Sequence, residues 1–216
     1  MDDFWDKIWE AKSYKDFINY IDLNEEHEWL KYFSKYNVKR VCDIACGFGT
    51  YSAILSANNY EVYGSDISKR AIKITKDIME NINLDYKNYK NCNVTNILFN
   101  DNMFDAIIAH SVLDHITYED TKTAIKEFSR ITKPNGIIYI SFDSVEAEDK
   151  AIAHDTLDDG SMIYTEGKRK GMIFRQYTDE EIKRLLSKYE ILFFNKDSND
   201  DRNIIYKNNK CFSFSI

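Results

Sequence analysis

The chain has 216 residues, 44% of them hydrophobic and 14% aromatic, which is enough apolar material for one sizeable core, so a single domain is expected. Its 29 basic and 36 acidic residues give a formal charge of −7, which opposes phosphate backbones and anionic membranes and argues against nucleic acid or membrane as a partner. The opening "MDDFWDKIWE" is acidic and amphipathic, and no apolar run approaches the roughly 18 residues of a bilayer span, so a soluble cytoplasmic protein is expected.

Aromatic and aliphatic residues recur at helical spacing over residues 3–20 (Phe4, Ile8, Tyr14, Phe17, Ile18) and over 24–36 (Trp29, Leu30, Phe33), which predicts two helices, the second capped by Asn24. An alternation of strands and helices follows. Strands are expected at 38–45, 60–66, 86–94, 103–110 and 136–143, and helices at 49–58, 68–80 (capped by Ser68) and 118–131. Such alternation predicts an α/β, Rossmann-like doubly wound sheet, mostly parallel, with helices on both faces.

The C-terminal third differs. A polar, glycine-containing insert covers about 144–177, in which "SMIY" and "MIFRQY" read as a β-hairpin around "YTEGKRKG". A helix over 179–188 is opened by Thr178 and Glu181 at capping-box spacing. Segments 190–196 and 203–216 then read as an antiparallel hairpin that completes seven strands. The expected organisation is an N-terminal helical cap (1–37), a core (38–143), a lid or acceptor insert (144–177) and a C-terminal helix and hairpin (178–216).

The stretch "VCDIACGFGTYS" carries the chemistry. Gly47 and Gly49 follow the first strand directly, so the chain turns tightly and a ligand approaches the backbone at the start of the next helix. Alone, that spacing is weak, since nicotinamide and flavin sites share it. Asp43 narrows it, because a carboxylate at the strand end suits an ammonium and repels a pyrophosphate. Asp66, at the end of the second strand and 17 residues after Gly49, is placed to accept both hydroxyls of a ribose. A ribose and an amino-acid ammonium together describe S-adenosylmethionine.

Through "VCDIACGFGT", "VYGSDIS", "MFDAIIAHSVLDHI" and "ITKPNGIIYIS", in that order, residues 38–143 resemble the class I S-adenosylmethionine-dependent methyltransferases. Two positions depart from the usual pattern. Ala45 stands where the first motif has glycine, and Asn93 stands where an acidic residue usually meets the adenine amino group, its amide oxygen being able to accept the same bond. Carried onto this chain, the resemblance implies cofactor contacts at Asp43, Ala45, Cys46, Gly47, Gly49, Asp66, Ile67, Asn93, Val94 and His110. Cys46 reads as a small residue packed under the loop. Trp9 and Tyr14, with Trp5, resemble the aromatic N-terminal helix that many small-molecule members fold over the cofactor. The small size is most similar to the broad type 11 and type 25 group, which includes tellurite-resistance enzymes and natural-product N- and O-methyltransferases.

The expected reaction is in-line methyl transfer to a small-molecule N, O, S or metalloid acceptor, leaving S-adenosylhomocysteine. "HSVL" replaces the Asn/Asp-Pro-Pro-aromatic motif of enzymes that methylate base amines or glutamine amides. His110, Asp114 and His115 are the candidate catalytic residues, and His154 and Arg175 of the insert the candidate acceptor contacts. No metal site is expected. Cys42, Cys46, Cys92 and Cys211 lack paired spacing, and adjacent Asp114 and His115 would point apart on a helix. A monomer or homodimer is expected. The competing readings are a non-catalytic cofactor-binding module or partner subunit, and a nicotinamide-dependent oxidoreductase. Against the latter stand Asp43 and the Ser52 that replaces a third glycine.

Overall fold

The computed structural model describes residues 2–144 and 151–209. Helices α1 (Asp2–Glu10) and α2 (Glu28–Lys35) precede an alternating run: β1 (Arg40–Ile44), α3 (Thr50–Ala57), β2 (Glu61–Asp66), α4 (Lys69–Asn81), β3 (Tyr89–Asn91), β4 (Phe104–Ala109), α5 (Tyr118–Ile131) and β5 (Thr132–Phe142). The insert contributes three short strands, β6 (His154–Thr156), β7 (Met162–Tyr164) and β8 (Ile173–Phe174). The chain continues through α6 (Asp179–Leu185), β9 (Glu190–Lys196) and β10 (Arg202–Lys207).

The main sheet has seven strands in the order β3-β2-β1-β4-β5-β10-β9, with β10 antiparallel to both of its neighbours and the other pairs parallel. This is the expected Rossmann-like sheet with its C-terminal antiparallel hairpin. Strand order reverses on either side of β1 and β4, so their carboxyl ends open a crevice where the following loops diverge.

Period-two alternation divides the apolar residues between two cores. Cys42, Ile44, Ile107, Ala109, Ile138 and Ile140 pack with Phe128 of α5 and with Ile182 of α6. Val41, Ala106, Ile108, Ile137 and Tyr139 pack with Ile54 and Leu55 of α3 and with Trp29 and Phe33 of α2. Both faces are therefore dry, which is why the central strands read as continuous apolar runs.

Several boundaries differ from the sequence expectation, each for a local reason. The first aromatic helix stops at Glu10, because the Asp16 carboxylate accepts from both the N–H and the hydroxyl of Ser13 (2.7 and 3.0 Å) and restarts the chain as 3-10 turns at Tyr14–Asp16 and Ile18–Tyr20. Asn24 does not cap α2: its N–H donates to Asp22 in a separate turn, and His27 stands at the cap position. Strand β3 is only three residues long, since the chain turns away at Asn93. The Ser68 cap and the Thr178–Glu181 capping box are present as expected. The insert's hairpin is also present, Met162 pairing with Phe174, and β6 adds a third strand to it. Residues 145–150 and 210–216, including Cys211 and the end of the last expected strand, lie outside the described residues. No helix among the described residues is long and apolar enough to cross a membrane.

Candidate active site

A cleft of about 440 Å³ opens at the carboxyl edge of β1, β2 and β4. Its floor is the loop Ala45–Gly49, which turns so sharply that the Gly49 N–H donates to the Cys46 carbonyl at 2.8 Å. Gly49 has φ 91°, and a Cβ there would lie 2.5 Å from the Thr75 side chain, so this position has room only for glycine. Ala45 also has a positive φ, 55°. The substitution noted in the sequence therefore places a Cβ in the left-handed region and stores local strain.

Two acidic side chains line the cleft. Asp43 is buried, and its Oδ2 accepts from the Ser52 hydroxyl at 2.7 Å. Burial pushes its pKa up to about 7 against the pull of Ser52, and the nearby Asp66 adds to the rise. Asp66 accepts from the Gly47 N–H at 2.9 Å through Oδ2 and from the Ser68 N–H at 2.8 Å through Oδ1. Burial raises it to about 6 despite those two bonds. No lysine or arginine among the described residues pairs with either group. Two adjacent buried carboxylates without a protein cation fit a cationic ligand that also presents hydrogen-bond donors.

The roof comes from the N-terminal segment. Trp9 lies over the loop, its ring 3.5 Å from where a Gly47 Cβ would sit. Phe17 meets Trp9 edge-on at 5.5 Å and stacks on Phe48 at 4.5 Å. Arg70 of α4 fastens this segment by donating to the Lys12 carbonyl. Trp5 reaches the far end and meets His115 edge-on at 5.2 Å. Tyr14 is not among the cleft residues; it sits in the 3-10 turn, and the nearby aromatic contact over the loop is made by Phe17.

Ile67, Asn93 and Val94 line the side beyond β2. The Asn93 Oδ1 accepts from both the N–H and the hydroxyl of Thr95, at 3.0 and 2.9 Å. Its acceptor capacity is thereby spent within the turn, so the expected role for the oxygen gives way to one for the amide NH₂, a donor.

The opposite wall follows β4. His110 lines the cleft, and its Nδ1 lies 2.8 Å from the Ser111 hydroxyl, which in turn donates to Asp143 Oδ1 at 2.8 Å. Since that hydroxyl has one proton and gives it to the carboxylate, Nδ1 must carry the proton of the neutral ring and donate it to Ser111. Nε2 is then the basic nitrogen. Burial lowers the His110 pKa, partly offset by Asp143, so the neutral ring prevails at pH 7. Tyr51 of α3 packs 4.8 Å from the same ring. His115 lines the cleft further out; Asp114 does not, being fully buried behind it with Oδ2 3.7 Å from His115 Nε2.

The cleft thus brings together Asp43, Ala45, Cys46, Gly47, Asp66, Ile67, Asn93, Val94, His110, His115 and Trp9. Gly49 shapes the loop from outside the lining. The Cys46 thiol is buried against Thr75, and burial raises its pKa, in keeping with a packing role. The two acceptor candidates of the insert stand elsewhere. The Arg175 guanidinium pairs with Glu181 at 2.6 Å, bonds the Asp159 carbonyl and lies on the rings of Tyr118 and Tyr177. His154 bonds the Ile152 carbonyl at 2.8 Å and meets Tyr164 edge-on. Phe48, Tyr51, Ser111 and Asp143 escaped site assignment from sequence. The position of Ser111 and Asp143 just past two adjacent strand ends was the available signal.

A family model described as a methyltransferase domain matches residues 42–140. An uncharacterised protein of Methanocaldococcus jannaschii is 30% identical over 161 residues, covering 68% of this chain and 64% of its own. A ubiquinone biosynthesis O-methyltransferase of Coxiella burnetii is 33% identical over 106 residues, covering 48% of this chain and 43% of its own. The match thus spans less than two thirds of the length of either relative. The crystal structure of an S-adenosylmethionine-dependent methyltransferase from Clostridium acetobutylicum superposes with a TM-score of 0.66 over 93% of this chain and 94% of that one, at 16% identity. Residues 42–140 thus match a methyltransferase domain, and the chain has the fold of S-adenosylmethionine-dependent methyltransferases of known structure.

Two predictions follow from the floor of this cleft. Ala45→Gly relieves the left-handed strain at a smaller cost in chain entropy, a net gain of roughly 0.5–1 kcal/mol, and raises Tm by about 2–3 °C in scanning calorimetry; an unchanged or lower Tm means that the position is not strained. If Asp43 and Asp66 meet a bound ammonium and ribose as ionised carboxylates, ligand binding lowers their pKa values and tightens as pH rises through about 6–7. Calorimetric affinity for S-adenosylhomocysteine should fall by about tenfold or more from pH 8 to pH 5.5. The ligand-free protein has the opposite trend from these two groups. Their folded pKa values exceed the unfolded value of 3.8, so the stability they contribute is lost as pH rises from about 4 towards 7.

Proposed function

We propose that this protein binds S-adenosylmethionine between the Ala45–Gly49 loop and the Trp5/Trp9 roof, and methylates a small-molecule acceptor placed against the His110–Ile116 wall. The observation that carries this reading is the pair of buried carboxylates, Asp43 and Asp66, that have no cation partner among the described residues and flank a glycine loop. Asp43 faces the ammonium and Asp66 the ribose, while Ile67 and Val94 flank the adenine and Asn93 donates to it. A small acceptor is supported by the cleft's volume, its aromatic roof and the chain's net negative charge, which also speaks against nucleic acid.

The cofactor supplies a methyl group on a positively charged sulfur, so that an acceptor lone pair forms the new bond to carbon as the carbon–sulfur bond breaks and its electrons return to sulfur. The protein's share is alignment, exclusion of water and proton removal. His110 is the base of this proposal. With Nδ1–H fixed on Ser111 and Ser111 fixed on Asp143, the ring is held in one tautomer, and the lone pair of Nε2 can take the acceptor's proton. The positive charge that develops on the ring is stabilised by Asp143 through Ser111. His115, backed by Asp114, forms the outer part of the acceptor wall. Packed against Phe48 and Phe17, the Trp9 ring closes the methionine side and limits access of water.

The test is an acceptor screen over amines, phenols, thiols and metalloid oxyanions, read as S-adenosylhomocysteine formation. With an acceptor in hand, His110→Ala should lower kcat by about 10²–10⁴-fold while changing cofactor affinity by less than about threefold. Its loss should also remove an acidic limb of the kcat profile lying below the ordinary histidine pKa of 6.5, since the base is already neutral above it. A large loss of cofactor affinity with kcat preserved would instead assign His110 to cofactor binding.

A further inference from the structure

Asp114 is the most demanding polar group of the molecule. Its side chain is fully buried, and neither carboxylate oxygen receives a hydrogen bond of normal geometry. The backbone N–H groups of Asp114 and Asp143, the ring of His115 and the Asp143 carboxylate act on it, and among the described residues no lysine or arginine pairs with it. A buried carboxylate left in that state costs several kcal/mol when ionised, so a compact positive charge would meet an unfilled need.

The neighbours of Asp114 are arranged to supply the rest of a coordination set. Asp114 and His115 belong to a single 3-10 turn, Leu113–His115, in which their side chains converge, contrary to the divergence expected on an α-helix. Asp143 arrives from the end of β5, with Oδ1 on Ser111 and its second oxygen left to serve as a ligand. One ligand atom from each of Asp114, His115 and Asp143 lies within 4.8 Å of the other two. His115 adds a feature that points to metal in particular. Its Nδ1 faces the Ile173 carbonyl at 3.3 Å, which sets the proton on Nδ1 and leaves the Nε2 lone pair directed towards Asp114. Metal-binding imidazoles are oriented in this way, by giving the other ring N–H to a backbone carbonyl. The Asp114 backbone is itself held, its carbonyl accepting from the Arg175 N–H at 2.7 Å.

We propose that Asp114, His115 and Asp143 bind one divalent first-row transition-metal ion beside the acceptor end of the cleft. Two carboxylates and one imidazole form a mixed oxygen and nitrogen set that suits Mn²⁺ or Zn²⁺ better than Mg²⁺, which prefers oxygen and retains its water. Ligand atoms around a tetrahedral ion with bonds of about 2.1 Å sit roughly 3.4 Å apart, so small side-chain rotations close the set. Three protein ligands leave at least one coordination position for water or for a lone-pair atom of an acceptor. The ion would share Asp143 with the His110–Ser111 chain, yet its binding is read without methyl transfer, so the two proposals are tested separately.

The experiment uses tag-free, chelator-treated full chain, titrated calorimetrically with MnCl₂, ZnCl₂ and MgCl₂, with loss of the free Mn²⁺ spin-resonance signal as a second readout. One equivalent of Mn²⁺ or Zn²⁺ should bind, with Mg²⁺ at least about tenfold weaker. Asp114→Asn and Asp143→Asn, nearly isosteric, should each weaken binding by about tenfold or more. Binding of S-adenosylhomocysteine, measured on the same samples, reports that the fold and the cofactor half are intact, so failure of the metal site and failure of the cofactor reading are separately visible. Absence of saturable binding in the wild-type chain, or an affinity unchanged in both variants, would overturn the proposal.

Discussion

The structure turns on the burial of two carboxylates, Asp43 and Asp66, at the carboxyl ends of adjacent parallel strands. Each is held by protein donors, yet among the described residues neither meets a cation. The loop between them takes its shape from this arrangement, because Asp66 holds the Gly47 N–H while Ser52, in the first turn of α3, holds Asp43. The helix start, the glycine turn and the second strand end are thus fixed with respect to one another by hydrogen bonds to two charges. Those charges are in turn costly without a ligand. A binding floor built this way is preorganised and somewhat destabilised at once, which is a common cost of a site.

The same logic recurs at the other end of the cleft with different chemistry. Strands β4 and β5 end beside each other, and the residues just past them, His110, Ser111 and Asp143, form a chain of hydrogen bonds that fixes one imidazole tautomer. Three residues further on, Asp114 lacks such partners. The first half of the crevice therefore suits an extended organic cation with hydroxyl groups, and the second suits a proton acceptor and a compact charge. Parallel strands make this possible, since every strand end delivers its polar residues to the same edge.

Much of this was legible in the sequence, and the failures have local causes. The strand and helix alternation, the Ser68 cap and the Thr178–Glu181 box depend on short-range patterns and are present. Asn24 misled because Asp22 organises that turn first, and Tyr14 because Ser13 and Asp16 end the helical period before it. Divergence of Asp114 and His115 was argued from α-helical geometry, whereas a 3-10 turn brings them together. Asn93 was readable as a site position but its Asx turn, which reverses the role of its amide, was not. Arg175 was read as an acceptor contact within a polar insert. Its partners Glu181, Tyr118 and Tyr177 come from segments whose convergence only the fold defines.

Arg175 also alters the part that the insert plays. The insert touches the acceptor wall from behind through the Arg175 N–H on the Asp114 carbonyl, the Ile173 carbonyl facing His115 and the Phe174 ring edge-on to His115. A further tie joins the end of the insert to α5, where the Tyr177 hydroxyl meets Thr121 at 2.8 Å. The guanidinium then locks this assembly onto α6 through Glu181. Sequence suggested a lid that grips the acceptor with His154 and Arg175. The geometry supports a brace that sets the turn bearing Asp114 and His115, with the contacts to the acceptor supplied by the wall itself and by Trp5. Acceptor choice would then reside in residues 111–116 and α1, and changes in the insert would act on it indirectly, by shifting that turn.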